Sequence, residues 1–463
     1  MNFMKALVFL GLASLIACAN TTKPGQSSVV SDVPAQAGIP PSDSQQPSTD
    51  GMTFEYYLKQ AEQGDADSQH LMGVLNSVGG QDSQSQKEAV EWYRKAAVQD
   101  HPDAQFALAN KYYTGEGVPQ DQARALEWHM KAAENGNATA QFKLGLLYDD
   151  GKFVPHEDER AVFWYSKAAE QGHLGAQFNL AIMYATGEGG APNQQLAAHW
   201  YRKAAEQGNV DAQVILGDRY AVGKGVPQDH EQAVMWYQKA AEQGDVNAQF
   251  EMGAAYGFGK GVLQDYGRAA YWYNKAAKQG EMTAQFNLGV MHREGRGVPK
   301  DDKKALDWYR KAAIQGHSAA QYNLGLMYQK GEGVAQSYRD AFSWFLKSAQ
   351  QGDPSAQYNV AILYQDGMGV PQDHKSAAAW YRKAAEQGLA QAQNNLGLIY
   401  AQGQGLPQDF SQAYSWFSVA AANGDTLAFD NRDLASKELS QAELTTAQRR
   451  AVTYFEKYQP SSK

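Results

Sequence analysis

The sequence predicts an all-α fold, a solenoid of about ten stacked helix hairpins, and three observations carry that prediction. Tryptophan recurs at Trp92, Trp128, Trp164, Trp200, Trp236, Trp272, Trp308, Trp344, Trp380 and Trp416, each 36 residues after the last. Each period holds two apolar sets at helical spacing, and residues that start and stop helices stand between the sets. A chain of 463 residues would otherwise divide into several globular domains. A period kept without insertion or deletion makes it one array.

With Asp65 as position 1, ten repeats run from 65–100 to 389–424. Their recurring segments are Ala-Gln-Phe-x-Leu-Gly-x-x-Tyr, Gly-x-Gly-Val-Pro-Gln-Asp and Trp-Tyr-x-Lys-Ala-Ala-Glu-Gln-Gly. The first helix follows from positions 4, 8, 9 and 12, which are Ala104, Leu108, Ala109 and Tyr112 in the second repeat; they share one helical face. The second follows from positions 25, 28, 29, 32 and 33, as in Ala233, Trp236, Tyr237, Ala240 and Ala241. Position 21, from Ser85 and Asp121 to Asp409, is an N-cap residue in nine of ten repeats, Glu157 being the exception. Position 36 is glycine except at Asp100, as suits the left-handed residue that ends a helix. Between the helices, Gly-x-Gly-Val-Pro supplies positive φ and a block to helix continuation.

Position 25 is alanine in every repeat, Ala89 through Ala413, and position 9 is only glycine or alanine. Such confinement predicts close helix–helix approach, with the ten tryptophans as second-helix core residues filling the adjacent space. Residues 52–64 open the array on a half-repeat, with Tyr56 at the tryptophan position. In residues 425–463 the motif decays: Ala428 persists, the glutamine is lost, and Lys437 to Tyr458 reads as a more polar helix. Both ends are expected to be caps, since a terminal repeat has one neighbour only.

Residues 1–17 carry Lys5, then an apolar run from Ala6 to Ile16, the pattern of a secretory signal too short to span a bilayer as a mature helix. Leu15-Ile16-Ala17-Cys18 resembles the lipobox of bacterial lipoproteins, which implies cleavage before Cys18 and lipid attachment to it. Ala19 follows Cys18 where retention in the inner membrane uses aspartate, so the resemblance implies the outer membrane; there the array is expected to face the periplasm in preference to the cell surface. Residues 18–51, rich in Ser, Pro, Gln and Gly, read as a lipidated, disordered tether.

Loss of residues 1–17 leaves 40 basic against 50 acidic side chains, a net charge of −10. That acidity argues against nucleic acid, which binds through clustered Lys and Arg. The single cysteine excludes a disulfide framework and any Cys-based metal site. No serine-hydrolase, zinc-protease or phosphate-loop motif occurs, so neither cofactor nor small-molecule substrate is expected. His129 and His292, at tyrosine positions, read as packed core substitutes; His101, His173 and His317, at position 1, read as solvated caps with no metal. The Arg-Lys pairs at 94–95, 202–203, 310–311 and 382–383 read as a solvated face balanced by Glu at position 34.

The repeat segments resemble the Sel1-like repeat (SLR) family, relatives of tetratricopeptide (TPR) repeats, over residues 53 to about 430. The resemblance implies a right-handed α-superhelix whose concave face binds proteins: a non-enzymatic scaffold or adaptor at the envelope. A first alternative is a surface-displayed binder of host proteins. A second is a penicillin-binding or β-lactam-hydrolysing enzyme, known from a cysteine-rich branch that pairs cysteines within each repeat; this chain has no cysteine in its repeats. The candidate recognition feature is position 7, off the apolar stripe, where Asn179, Asn287, Asn323, Asn359 and Asn395 stand, with Lys143 and Glu251 interrupting. Amides both donate to and accept from an extended peptide; the alternative is local bonding between hairpins. Positions 13 and 14 vary beside them (Tyr113, Asp149, Arg293, Lys330, Asp366) and are where partner choice could be written.

Overall fold

The computed structural model describes residues 54–79, 82–151 and 154–459; the signal segment, Cys18 and the Ser/Pro/Gln-rich stretch lie outside the described residues. All regular structure among the described residues is helical, in 23 helices. After α1 (Phe54–Glu62), twenty helices from α2 (Ala66–Gly79) to α21 (Phe410–Ala422) form ten hairpins. Within each of the two compact units, second helices such as α5, α7 and α9, or α13, α15 and α17, pack against their own first helix and against the first helix of the next hairpin. The chain divides into two compact units between Trp236 and Tyr237, inside α11 (His230–Glu242).

The punctuation acts as its chemistry predicts. In the second repeat α4 (Pro102–Thr114) ends on Gly115 in the left-handed conformation, and α5 (Gln122–Glu134) starts where the Asp121 carboxylate accepts from Arg124 N at 3.0 Å. Glu157, one methylene longer than the usual cap, makes no side-chain cap bond. The first repeat departs from expectation: α3 (Ser83–Ala97) is capped by Asp82, three residues before the expected Ser85, whose own N–H donates to Asp82 at 3.0 Å. Asp100 holds the hairpin-junction conformation at φ 63°, the one non-glycine there among the described residues. Gly297 (φ +69°) is required twice over, because a Cβ there would lie 2.1 Å from the Tyr266 carbonyl oxygen of the preceding second helix.

The core corrects one expectation. Trp236, Trp272 and Trp416 are buried. Trp92, Trp128, Trp164, Trp200, Trp308, Trp344 and Trp380 are only half-buried, and all of these but Trp92 lie at the edges of the core clusters. Trp92, Trp128, Trp272, Trp308, Trp344 and Trp380 carry the position-31 lysine over the ring, as Lys311 does at 4.0 Å from Trp308. The space beside position 9 belongs to the aromatic residue at position 29: a Cβ on Gly289 would come within 2.6 Å of the Tyr309 ring, and one on Gly325 within 2.6 Å of Phe345. Tyr165, Tyr309, Tyr381, Phe345 and Phe417 are among the largest fully buried side chains. Position 29 faces the neighbouring first helix, while position 28, about 100° round the helix, grips the repeat's flank.

The C-terminal end also differs from the single polar helix expected. Lys437 ends α22 (Leu427–Lys437), and α23 (Gln441–Lys457) starts on a Ser440/Glu443 capping box. Helix α23 packs chiefly on α21: Ser415 Oγ donates to Ala447 O at 3.0 Å, and Tyr454 lies against Trp416 with ring centroids 4.6 Å apart.

Candidate protein-recognition face

Position 7 falls on the first helix one step outside the buried positions 4, 5, 8 and 9, so its side chain is half-buried wherever asparagine occupies it. In the second compact unit Asn287, Asn323, Asn359 and Asn395 stand on four successive first helices, and in the first unit Asn179 stands alone. Each is also bonded within the protein. Asn323 Nδ2 donates to Ala319 O and Asn359 Nδ2 to Ser355 O, both at 2.8 Å. Asn179 Nδ2 donates to the Tyr165 hydroxyl at 3.2 Å, while Asn287 pairs with the Tyr273 hydroxyl and Asn395 with those of Tyr358 and Tyr381. The amides are thus engaged within the protein while their side chains stay half-buried.

The flanking variable positions are partly engaged. Arg293 donates from Nη1 to Asn323 Oδ1 at 3.1 Å and from Nη2 to Glu332 Oε2 at 2.9 Å. Lys330 Nζ is 3.9 Å from the same Glu332 carboxylate. In the first unit Asp149 accepts from the Tyr165 hydroxyl at 2.9 Å, and burial pushes its carboxyl above the usual range. Tyr113 is 52% exposed. In the second unit Asn323, Arg293 and Glu332 thus form a preset polar group with the amide row on either side.

A second set of amides stands at position 5, beside the apolar face of the first helix. Position 5 is glutamine in all ten repeats and buried in every one. Gln321 Nε2 donates to Ala313 O of the preceding repeat at 3.0 Å, and Gln321 Oε1 accepts from Gln351 Nε2 at 2.7 Å. Gln351 Nε2 also reaches Gly316 O at 3.0 Å. The same pairing joins Gln99 to Gln69, Asn135 to Gln105, Gln171 to Gln141 and Gln207 to Gln177 in the first unit. In the second unit it joins Gln279 to Gln249, Gln315 to Gln285, Gln387 to Gln357 and Asn423 to Gln393. The last pair is closed by the Tyr458 carbonyl, which accepts from Gln393 at 3.2 Å and from Asn423 at 3.3 Å. The signal was present in the sequence: an amide recurring beside an apolar face needs a buried partner.

The Arg-Lys pairs likewise do more than face solvent. The arginine donates to the position-12 phenol of the next repeat, Arg310 to Tyr328 at 3.2 Å and Arg382 to Tyr400 at 2.8 Å, while the lysine covers the tryptophan. Their charge partners include a carboxylate one turn back, as in Arg310 with Asp307 at 3.3 Å, and the expected position-34 glutamate in Glu206, 4.0 Å from Lys203. The position-1 histidines are caps, Nδ1 accepting from the position-4 N–H at 3.2 Å. They are not fully solvated, since His173 and His317 stack on Phe142 and Phe286 with centroids 4.4 and 4.5 Å apart. Among the described residues no group of three or more His, Cys, Asp or Glu could hold a metal ion, and no helix is long and apolar enough to cross a membrane.

The family model for the Sel1 repeat matches residues 66–101, 102–137, 138–173, 175–209, 210–245, 246–281, 283–317, 318–353, 354–389 and 390–425. The chain is 37% identical, over 88% of its length and 95% of the other chain, to a protective antigen of uropathogenic Escherichia coli strains displaying an SLR fold, with a TM-score of 0.62. It is 34% identical to a Sel1 repeat protein from Oxalobacter formigenes, over 65% of this chain and 87% of that one, with a TM-score of 0.46. No curated protein matches the chain.

Proposed function

The chain belongs to the Sel1 repeat family, and we propose that it works as a non-enzymatic protein-binding scaffold, held by lipid at Cys18 on the bacterial outer membrane and facing the periplasm. The observation that supports this reading is the row of position-7 amides in the second unit, spaced by one hairpin each and oriented by internal bonds around Arg293 and Glu332. Such a row meets the alternating donors and acceptors of an extended peptide, and its preset geometry lowers the ordering cost of binding. Residues 18–51 would then hold the array away from the membrane surface.

Replacing Asn287, Asn323 and Asn359 together with alanine tests the reading. Partner binding is expected to fall at least tenfold, with the melting temperature reduced by only a few degrees, because the lost internal bonds are half-exposed. Unchanged binding with a large drop in melting temperature would assign the amides to structure alone. Mass spectrometry of the mature N-terminus tests the anchor, an unlipidated start at Ala19 or Asn20 counting against it.

A second reading, display at the cell surface toward host proteins, is favoured by one observation: the E. coli relative is a protective antigen. Protease treatment of intact cells separates the two readings, since only a surface-displayed array is cut.

A further inference from the structure

Position 19, in the loop between the two helices of a repeat, is proline at Pro119, Pro155, Pro227, Pro299, Pro371 and Pro407. In the sixth repeat it is Leu263, which is 91% exposed. A single exposed apolar side chain is ordinary, and Leu263 is set apart by its surroundings. Tyr266, also exposed, accepts from Gln264 Nε2 at 3.0 Å, and its ring centroid lies 5.9 Å from the Arg296 guanidinium of the next repeat's loop. That loop closes on the start of α13 (Tyr266–Lys278), where a Cβ on Gly297 would lie 2.1 Å from the Tyr266 carbonyl oxygen. The sixth and seventh loops therefore form one edge of the second unit.

The edge is cationic in a chain whose net charge is −9. It carries Lys260, Arg268, Arg296, Lys300, Lys303 and Lys304. Arg268, Arg296 and Lys304 are neutralised locally, by Asp265 at 3.6 Å, Glu294 at 2.8 Å and Asp301 at 3.5 Å. Lys260, Lys300 and Lys303 are exposed, and among the described residues no carboxylate pairs with them. Asp302 is the unpaired acid that stands against these three, so the edge keeps a positive excess beside an apolar side chain in water.

We propose that this edge docks on an anionic lipid surface. Leu263 enters the acyl region, and Tyr266 lies at the level of the headgroups, where an amphipathic ring is matched at both ends. Lys260, Lys300 and Lys303 meet the lipid phosphates. A dissolved polyanion would engage the lysines and leave Leu263 in water, whereas a lipid surface takes both. The contact is separate from the lipid proposed at Cys18 and from the amide row. The tether limits how far the array can stand from a membrane, and this edge selects the side that turns to it.

A dye that reports polarity tests this in the full-length protein. Cys18→Ser with Leu263→Cys allows a nitrobenzoxadiazole label at residue 263 alone, and the exposure of Leu263 lets the fold accept it. With vesicles of phosphatidylglycerol and phosphatidylethanolamine at low salt, where charge is least screened, the emission should shift to the blue and be quenched by spin-labelled lipid. The same label at Pro371→Cys, the matching loop position of the ninth repeat, should stay in water. Lys300→Gln with Lys303→Glu installs what the fifth repeat carries at Gln228 and Glu231, so it keeps the fold and should weaken the vesicle titration at least tenfold. No shift at residue 263, equal shifts at 263 and 371, the same response to phosphatidylcholine vesicles, or a titration unmoved by the double variant would overturn the proposal.

Discussion

His129 occupies the buried tyrosine site of the second repeat, with Phe106 at 5.4 Å between centroids and Nδ1 without a partner. Burial, assisted by the nearby Lys143 ammonium, pushes its imidazole down to about 4. The unfolded chain therefore binds a proton that the folded chain refuses as pH falls from about 6.5 toward 4, and stability is lost across that window. His129→Tyr removes this loss. The variant's advantage over wild type in urea unfolding should grow by about 2–3 kcal/mol between pH 7 and pH 4.5; an advantage independent of pH would show that His129 is not held neutral. Both His129 and His292 were legible as core substitutes from their register alone. What register could not show is which neighbour of each aromatic pair goes inward. Trp308 and Tyr309 are both apolar and adjacent, and only the crossing of the two helices places Tyr309 over Gly289.

Helix boundaries were readable because they rest on local chemistry: a carboxylate at position 21, glycines at 15 and 36, proline at 19. The junctions between hairpins were not, because their bonds link distant residues. Gln321 reaches a backbone carbonyl eight residues earlier and a side chain thirty residues later. A pattern of apolar spacing carries no trace of either partner. Gln321→Leu keeps the volume but removes two side-chain bonds, one to the Ala313 carbonyl, which retains the Gly316 N–H, and one from Gln351, whose side chain is exposed. A loss of about 1 kcal/mol is expected in urea unfolding, whereas a neutral effect would reduce the amide chain to a by-product of packing. The first-repeat cap is a similar case: Asp82 outcompetes Ser85 because its carboxylate accepts from both Gln84 N and Ser85 N.

Across the whole chain, the solenoid was legible from the 36-residue period, and the family model and the E. coli structure bear it out. The division at Trp236 and the two-helix C-terminal end were not, since neither interrupts the period within the repeats. The end is nonetheless understandable physically. Phe429 replaces the position-5 glutamine of an eleventh repeat, and the Tyr458 carbonyl satisfies the last amides instead. The position-7 row is the face on which the proposed function depends, and a photo-crosslinking amino acid tests it in the native cell. Placed at Asn323, on the amide row, it should yield a discrete protein adduct on irradiation; placed at Lys347, on the tryptophan side of the second helix, it should yield none. No adduct from position 323, or the same adduct from both positions, would contradict the account.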